Sequence, residues 1–167
     1  MKIVSGDLIK LAEEGCFDVI FHGCNCFHVM GGGIARQLAD KYPQVARADK
    51  LSGYGDKNKL GTFSQVRVKA SNGNIFTVKN VYTQYRPSYG NDVFVYGAFK
   101  EFLDLQVDYL SCMTIPKSRP KERLGFPMIG AGLAGGDWSR ILPMIEDFAN
   151  QVEEYADVTI VEYLPNT

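Results

Sequence analysis

Phe17-Asp18-Val19-Ile20-Phe21-His22-Gly23-Cys24-Asn25-Cys26 is followed, four residues later, by Gly31-Gly32-Gly33-Ile34-Ala35. The first run is apolar and ends in glycine and cysteine, which reads as a buried strand. Behind the three glycines, Ile34, Ala35, Leu38 and Ala39 recur at helical spacing, so a helix is predicted over 33–42. Pro43 is read as the break that ends it, since proline lacks the N–H donor a helix interior needs. Strand, glycine loop and helix in direct succession belong to α/β architecture.

The rest of the chain extends this unit in both directions. Lys2-Ile3-Val4 reads as a short first strand, and Leu8, Leu11 and Ala12 keep helical spacing between it and the second. The stretches 62–68 and 75–81 alternate like strands around the turn former Ser71-Asn72-Gly73-Asn74, a hairpin signature. Asn91 is read as the cap of a crossover helix whose apolar face carries Val95, Phe99, Phe102 and Leu103, with Val107 and Leu110 extending it. The charged, proline-broken segment 116–123 reads as a solvated loop before a strand over 124–129. Asp137 is placed to cap a last helix with Trp138, Ile141, Leu142, Ile145, Phe148 and Val152 on one stripe, and 158–161 closes the chain as a strand. Strands alternating with helices around a hairpin predict an α/β fold, a three-layer α/β/α sandwich on a mixed, mostly parallel sheet. A length of 167 residues suits one core, and a single domain over 1–167 is expected.

Composition narrows the function. Hydrophobic residues make up 46% and charged residues 22%, which disfavours a disordered, collagen-like or coiled-coil chain. The formal net charge of -1 offers no basic field for a nucleic-acid backbone, so no direct nucleic-acid affinity is expected. No apolar stretch approaches the ~20 residues that span a bilayer, and the N-terminus lacks a secretory apolar core. A cytoplasmic monomer without membrane association is the expectation. Cys16, Cys24, Cys26 and Cys112 are too sparse for a disulfide scaffold and are read as thiols. No metal is expected, because Cys24-Asn25-Cys26 has no second Cys/His pair at zinc spacing, and no motif calls for a cofactor.

Chemistry concentrates at two glycine loops, Gly31-Gly32-Gly33 and Gly130-Ala131-Gly132-Leu133-Ala134-Gly135-Gly136, each between a strand and a helix. Helix N-termini carry unsatisfied N–H groups and positive partial charge, and glycine lets backbone approach a phosphate closely, so the two loops suit a diphosphate. Either loop alone would serve equally well as a tight turn. Neither is a P-loop, because no Gly-Lys-Ser/Thr follows, and neither fits the dinucleotide fingerprint or the nucleophile elbow. His22 and His28 both lie beside the first loop. His22 reads as either a core imidazole or a general base near neutral pH, and His28 as a loop residue. Asn25 could bond a ribose diol or form a turn, and Asp7 could accept from an adenine amine or cap the helix at Leu8.

Taken together, these residues resemble a macro domain. His22-Gly23-Cys24-Asn25-Cys26 with Gly31-Gly32-Gly33-Ile34-Ala35, Leu38-Ala39 and Tyr42-Pro43 is similar to the first ligand loop of the fungal ADP-ribose-1″-phosphate phosphatase and its bacterial and phage relatives. Ser5-Gly6-Asp7-Leu8 resembles the family's Gly-Asp-Ile/Leu segment, and Pro127 to Trp138 its second loop. The resemblance implies that Asp7, with Leu8 beside it, contacts adenine and that Asn25 meets the distal ribose. It implies that Gly31, Gly32, Gly33 and Ile34 face Gly130, Ala131, Gly132, Leu133, Ala134 and Gly135 across the diphosphate. His22 occupies the position proposed as catalytic in the phosphatase branch, and Asp137 is either a cap or a second acid. Gln84 and Ala134 stand where the glutamate-deconjugating branch carries lysine and aspartate, which argues against covalent lysine chemistry. The implied activity is hydrolysis of ADP-ribose 1″-phosphate, with Asn25 orienting the ribose and His22 acting as base or acid. The alternatives are a non-catalytic ADP-ribose reader, or a hydrolase of O-acetyl-ADP-ribose or of an ADP-ribosylated macromolecule.

Overall fold

In the computed structural model, which describes residues 1–87, 93–112 and 119–163, strands and helices alternate as the periodicity predicts. In chain order they are β1 (Lys2–Gly6), α1 (Leu8–Glu13), β2 (Val19–Asn25), α2 (Gly33–Lys41), α3 (Pro43–Lys50), β3 (Phe63–Lys69), β4 (Ile75–Gln84), α4 (Tyr96–Cys112), β5 (Glu122–Phe126), α5 (Trp138–Gln151) and β6 (Ala156–Tyr163). The strands form one sheet in the order β1-β6-β5-β2-β4-β3, parallel throughout except for the β3–β4 hairpin. No helix among the described residues is long and apolar enough to cross a membrane.

Alternation along β2 divides the core into two layers. Val19 and Phe21 pack with Phe99, Phe102, Ile141, Ile145 and Phe148 of α4 and α5, while Ile20 packs with Leu8, Ile9, Leu38 and Val45 of α1, α2 and α3. Aromatic contact ties the first layer together: the Phe21 and Phe126 rings stack at 4.3 Å between centroids. Apolar burial on both faces is what a parallel sheet requires, because its crossover helices cover both sides.

Several boundaries differ from the sequence reading. The break at Pro43 is present, since α2 ends at Lys41 with Tyr42 extended, but Pro43 also starts α3, a helix the reading did not contain. Proline suits that position, since the first helical N–H has no intrahelical partner to lose. β4 runs three residues past 81, to Gln84, and so reaches the C-terminal rim of the sheet. β5 covers Glu122–Phe126 rather than 124–129. Arg123, read as loop, is a strand residue whose guanidinium meets Asp18 at 2.9 Å. The cap expected at Asn91 lies outside the described residues, as does the start of the loop expected over 116–123.

Candidate functional site

β2 and β5 are register partners only at Val19–Leu124 and Ile20–Gly125. Beyond that point they part, and the loops that leave them go to opposite faces, one to α2 and the other to α5. A crevice opens at such a switch point, outside the carboxyl ends of the strands, where open α/β sheets take their ligands. Here it is a cleft of about 430 Å³. Its walls come from Asn25 and Val29, from the α2 start at Gly31, Gly32, Gly33, Ile34 and Ala35, from Thr83, Gln84 and Pro87, and from the second loop over 127–130 and 132–134.

The first wall is the start of a helix with no side-chain cap. Gly32 is its N-cap and offers no side-chain acceptor, and Gly33, Ile34 and Ala35 behind it line the cleft. Their N–H groups carry the helix's positive end, with no side-chain cap among the described residues. Gly33 has φ +57°, a left-handed backbone that a side chain would strain.

The second wall is held by packing. Gly130 has φ +77°, and a Cβ there would lie 2.5 Å from the Phe94 ring. The loop bonds to itself through Gly136 N–H to Gly130 O at 2.7 Å and Gly135 N–H to Gly132 O at 3.0 Å. Val93 N–H donates to Ala134 O at 3.0 Å, which pins the loop to the segment before α4.

Of the residues singled out in the sequence, the structure brings Asn25, Gly31, Gly32, Gly33, Ile34, Gly130, Gly132, Leu133 and Ala134 to the cleft lining. Asp7, Leu8, His22, Ala131, Gly135 and Asp137 are not part of that lining. Asn25 clamps its own loop: its Nδ2 donates to Val29 O at 2.8 Å and its Oδ1 accepts from Phe27 N–H at 2.9 Å. Asp7 caps α1 through Oδ1, which accepts from Ile9 N–H at 3.0 Å and Lys10 N–H at 3.1 Å. Leu8, the first residue of that helix, is buried.

His22 departs most from its expected role. It lies on the opposite face of β2 from Gly23 and Asn25, is fully buried, and donates from Nε2 to Asn80 Oδ1 at 2.5 Å. Asn80 in turn donates to Val45 O of α3 and to Ser64 Oγ. Burial lowers the imidazole's pKa against the opposing pull of the Asn80 bond and of Asp49. Its neighbour Cys24 is held as a thiol by burial. A general base must reach the proton it removes, and this imidazole faces the α3 layer. Asp137, the other candidate acid, is the N-cap of α5, accepting from Ser139 N–H at 3.0 Å. The Ser139 bonds hold its carboxyl below the usual carboxylate range. His28 is likewise a loop residue, its ring bonded to Ser52 O at 2.8 Å.

No ionisable side chain lines the cleft among the described residues. The polar side chains there are Asn25, Thr83 and Gln84. The sequence reading did not name Thr83; the signal for it was the strand pattern continuing past Val81, which carries it to the rim.

Solved structures share this fold. The macrodomain of Mycobacterium tuberculosis DarG matches with a TM-score of 0.69 at 21% identity, covering 98% of each chain. Thermosipho africanus DarTG, solved in complex with ADP-ribose, matches with a TM-score of 0.72 at 19% identity, over 99% of this chain and 42% of that one. The fold is that of a macrodomain. No protein-family model matches the sequence. An uncharacterized 17.5 kDa protein from the tk-vs intergenic region of Enterobacteria phage T4 is 33% identical over 167 residues, spanning 99% of this chain and 97% of that protein. The chain has the macrodomain fold and belongs to one family with the phage T4 protein.

Proposed function

We propose that the cleft binds ADP-ribose, with the diphosphate at the uncapped start of α2 and the distal ribose over Asn25 and Gln84. The observation that carries this reading is the pairing of bare helix N–H donors with a lining that holds no ionisable side chain among the described residues. Such a site takes an anion by backbone donors and helix dipole alone. Gly31, Gly32, Gly33 and Ile34 supply one wall, and Gly130, Ala131, Gly132, Leu133, Ala134 and Gly135 supply the other. Asp7 directly follows β1, three strands from β2 in the sheet, so an elongated ligand running across the strand ends directs its adenine there. The complex of the structurally similar Thermosipho protein with ADP-ribose supports this ligand.

The finer reading is hydrolysis of ADP-ribose 1″-phosphate. His22 belongs to the fold in this reading and not to the chemistry, and Asp137 serves α5. Water would attack phosphorus, the bond from phosphorus to the 1″-oxygen would break, and the substrate's own phosphate oxygens would relay a water proton to the leaving oxygen. A non-catalytic reader of ADP-ribose on a macromolecule is the second reading, and the absence of a titrating group from the described lining favours it. Calorimetry with ADP-ribose, alongside phosphate release from ADP-ribose 1″-phosphate, tests both. Binding with release supports the phosphatase, binding without release supports the reader, and no binding refutes the ligand assignment.

A further inference from the structure

Asn25 ends β2 and lines the cleft, and its own loop fixes which way its amide faces. Oδ1 accepts from Phe27 N–H at 2.9 Å and from Val29 N–H at 3.4 Å, while Nδ2 donates to Val29 O at 2.8 Å. A flipped amide would set oxygen against oxygen at Val29, so only one orientation is bonded. Among the described residues one Nδ2 hydrogen is left for a ligand.

This clamp needs the chain to turn back between residues 25 and 29, so that both the N–H and the carbonyl of Val29 meet the Asn25 side chain. His28 makes that turn. Its φ of +58° is the one left-handed backbone at a non-glycine residue among the described residues. Histidine enters this region more readily than most side chains, yet glycine enters it freely. A left-handed residue that keeps its side chain is held there by its surroundings, and such residues cluster at ligand sites.

For His28 the surroundings are on the segment after α3. Its Nε2 lies 2.8 Å from Ser52 O, and because a carbonyl only accepts, that nitrogen carries the hydrogen. The ring meets Tyr54 edge-on at 5.6 Å between centroids. Ser52 is itself fixed from the core: its Oγ bonds the Tyr82 hydroxyl at 2.9 Å, and that hydroxyl donates to the buried Asp49 carboxylate at 2.8 Å. Two residues before His28, Cys26 O accepts from Gly55 N–H at 2.7 Å. The segment over 52–55 therefore grips the loop on either side of Phe27.

We propose that His28 is a positioning residue for the distal-ribose end of the ligand: its ring, anchored on Ser52 O, holds the left-handed turn that sets the Asn25 amide in the cleft. His28 is not part of the cleft lining and acts through Asn25. The inference rests on the ADP-ribose reading, which puts the distal ribose over Asn25. A histidine that only steadied the loop would move stability and leave the choice between ligands alone.

Calorimetry with ADP-ribose and with ADP, which lacks the distal ribose, reads that choice. His28→Asn keeps a side chain that tolerates the left-handed backbone but is too short for Ser52 O. It should weaken ADP-ribose about three- to tenfold, the range for one neutral hydrogen bond, and leave ADP unchanged. His28→Gln, whose Nε2 stands the same number of bonds from the backbone, should retain wild-type affinity for both. His28→Gly drops the ring and takes the turn at no steric cost, so it should show the same loss for ADP-ribose alone, and it serves if the asparagine variant does not fold. In an Asn25→Ala background, losing the ring should cost nothing further. Wild-type ADP-ribose affinity without the ring, an equal loss for both ligands, or losses that add across the double variant would overturn the positioning role while leaving the ADP-ribose reading intact. A wild-type protein that binds neither ligand would overturn that reading, and the role with it.

Discussion

The two glycine loops look alike in sequence and do different work. Each leaves the carboxyl end of a parallel strand and enters a helix, yet α2 begins at Gly32 with no side-chain acceptor, whereas α5 begins at Asp137, whose carboxylate takes the Ser139 N–H. One helix N-terminus keeps its donors and positive end for a ligand. The other has already spent them on its own acid, and the charge of Asp137 repels a second anion. The sequence reading treated both loops as phosphate cradles of one kind. In the structure only the first has a helix start in the cleft, and the second contributes a backbone wall shaped by packing against Phe94. A helix N-terminus is thus an anion site only where the cap leaves it one.

The sharpest way to break this contrast is to copy the α5 cap onto α2. Gly32 has an extended backbone, φ -148° and ψ 163°, that accepts aspartate, and the nearest obstacle is the flexible end of Leu133. Gly32→Asp should weaken ADP-ribose by about 100-fold, through like charge and loss of free donors, while Tm holds or rises slightly. Calorimetry and a thermal scan on the same variant read both effects, and unchanged affinity would remove the helix start from the ligand site.

A smaller effect concerns His22, the titratable group just ahead of the first loop. Its folded pKa lies below its ordinary value near 6.5, because burial disfavours the charged form. Stability from this group is therefore complete above that value and is lost as pH falls below it, where the unfolded chain binds a proton that the folded one resists. The slope reaches at most about 1.4 kcal/mol per pH unit. Thermal scans from pH 8 to 5 should show that loss in the wild type, and His22→Gln should flatten it. A wild-type Tm independent of pH over this range would contradict a buried neutral imidazole.

The smallest effect is at the second loop. Asp137→Ala removes the α5 cap and should lower Tm by a few degrees, with ADP-ribose affinity unchanged or slightly improved as a negative charge leaves. A large loss of affinity would show that the two loops are more alike than their caps.

Much of the fold was legible because its signals are local. Alternation in β3 and β4 around Asn72-Gly73, the apolar stripe of α5 and the glycines before α2 each show in a short window of sequence. Pro43 was half legible: it stops α2 as its chemistry predicts, and only the packing of Val45 into the core shows that it also starts α3. The nine lining residues named in advance were legible for the same local reason, as glycines and neighbours at strand ends. Thr83 was not, since nothing in Val81-Tyr82-Thr83-Gln84 announces a bulge against β2.

Sequence alone determined the α/β class, the mixed sheet implied by its hairpin, the two glycine loops and the resemblance to macrodomains. Tertiary structure decided which loop presents free donors, which way His22 points and what holds His28. The reason is physical: propensity and periodicity act over a few residues, whereas a side chain's face, its burial and its partner are set by the neighbouring strand and helix. His22 and Asn25 are three residues apart, and the sheet sends one into the α3 layer and the other to the cleft.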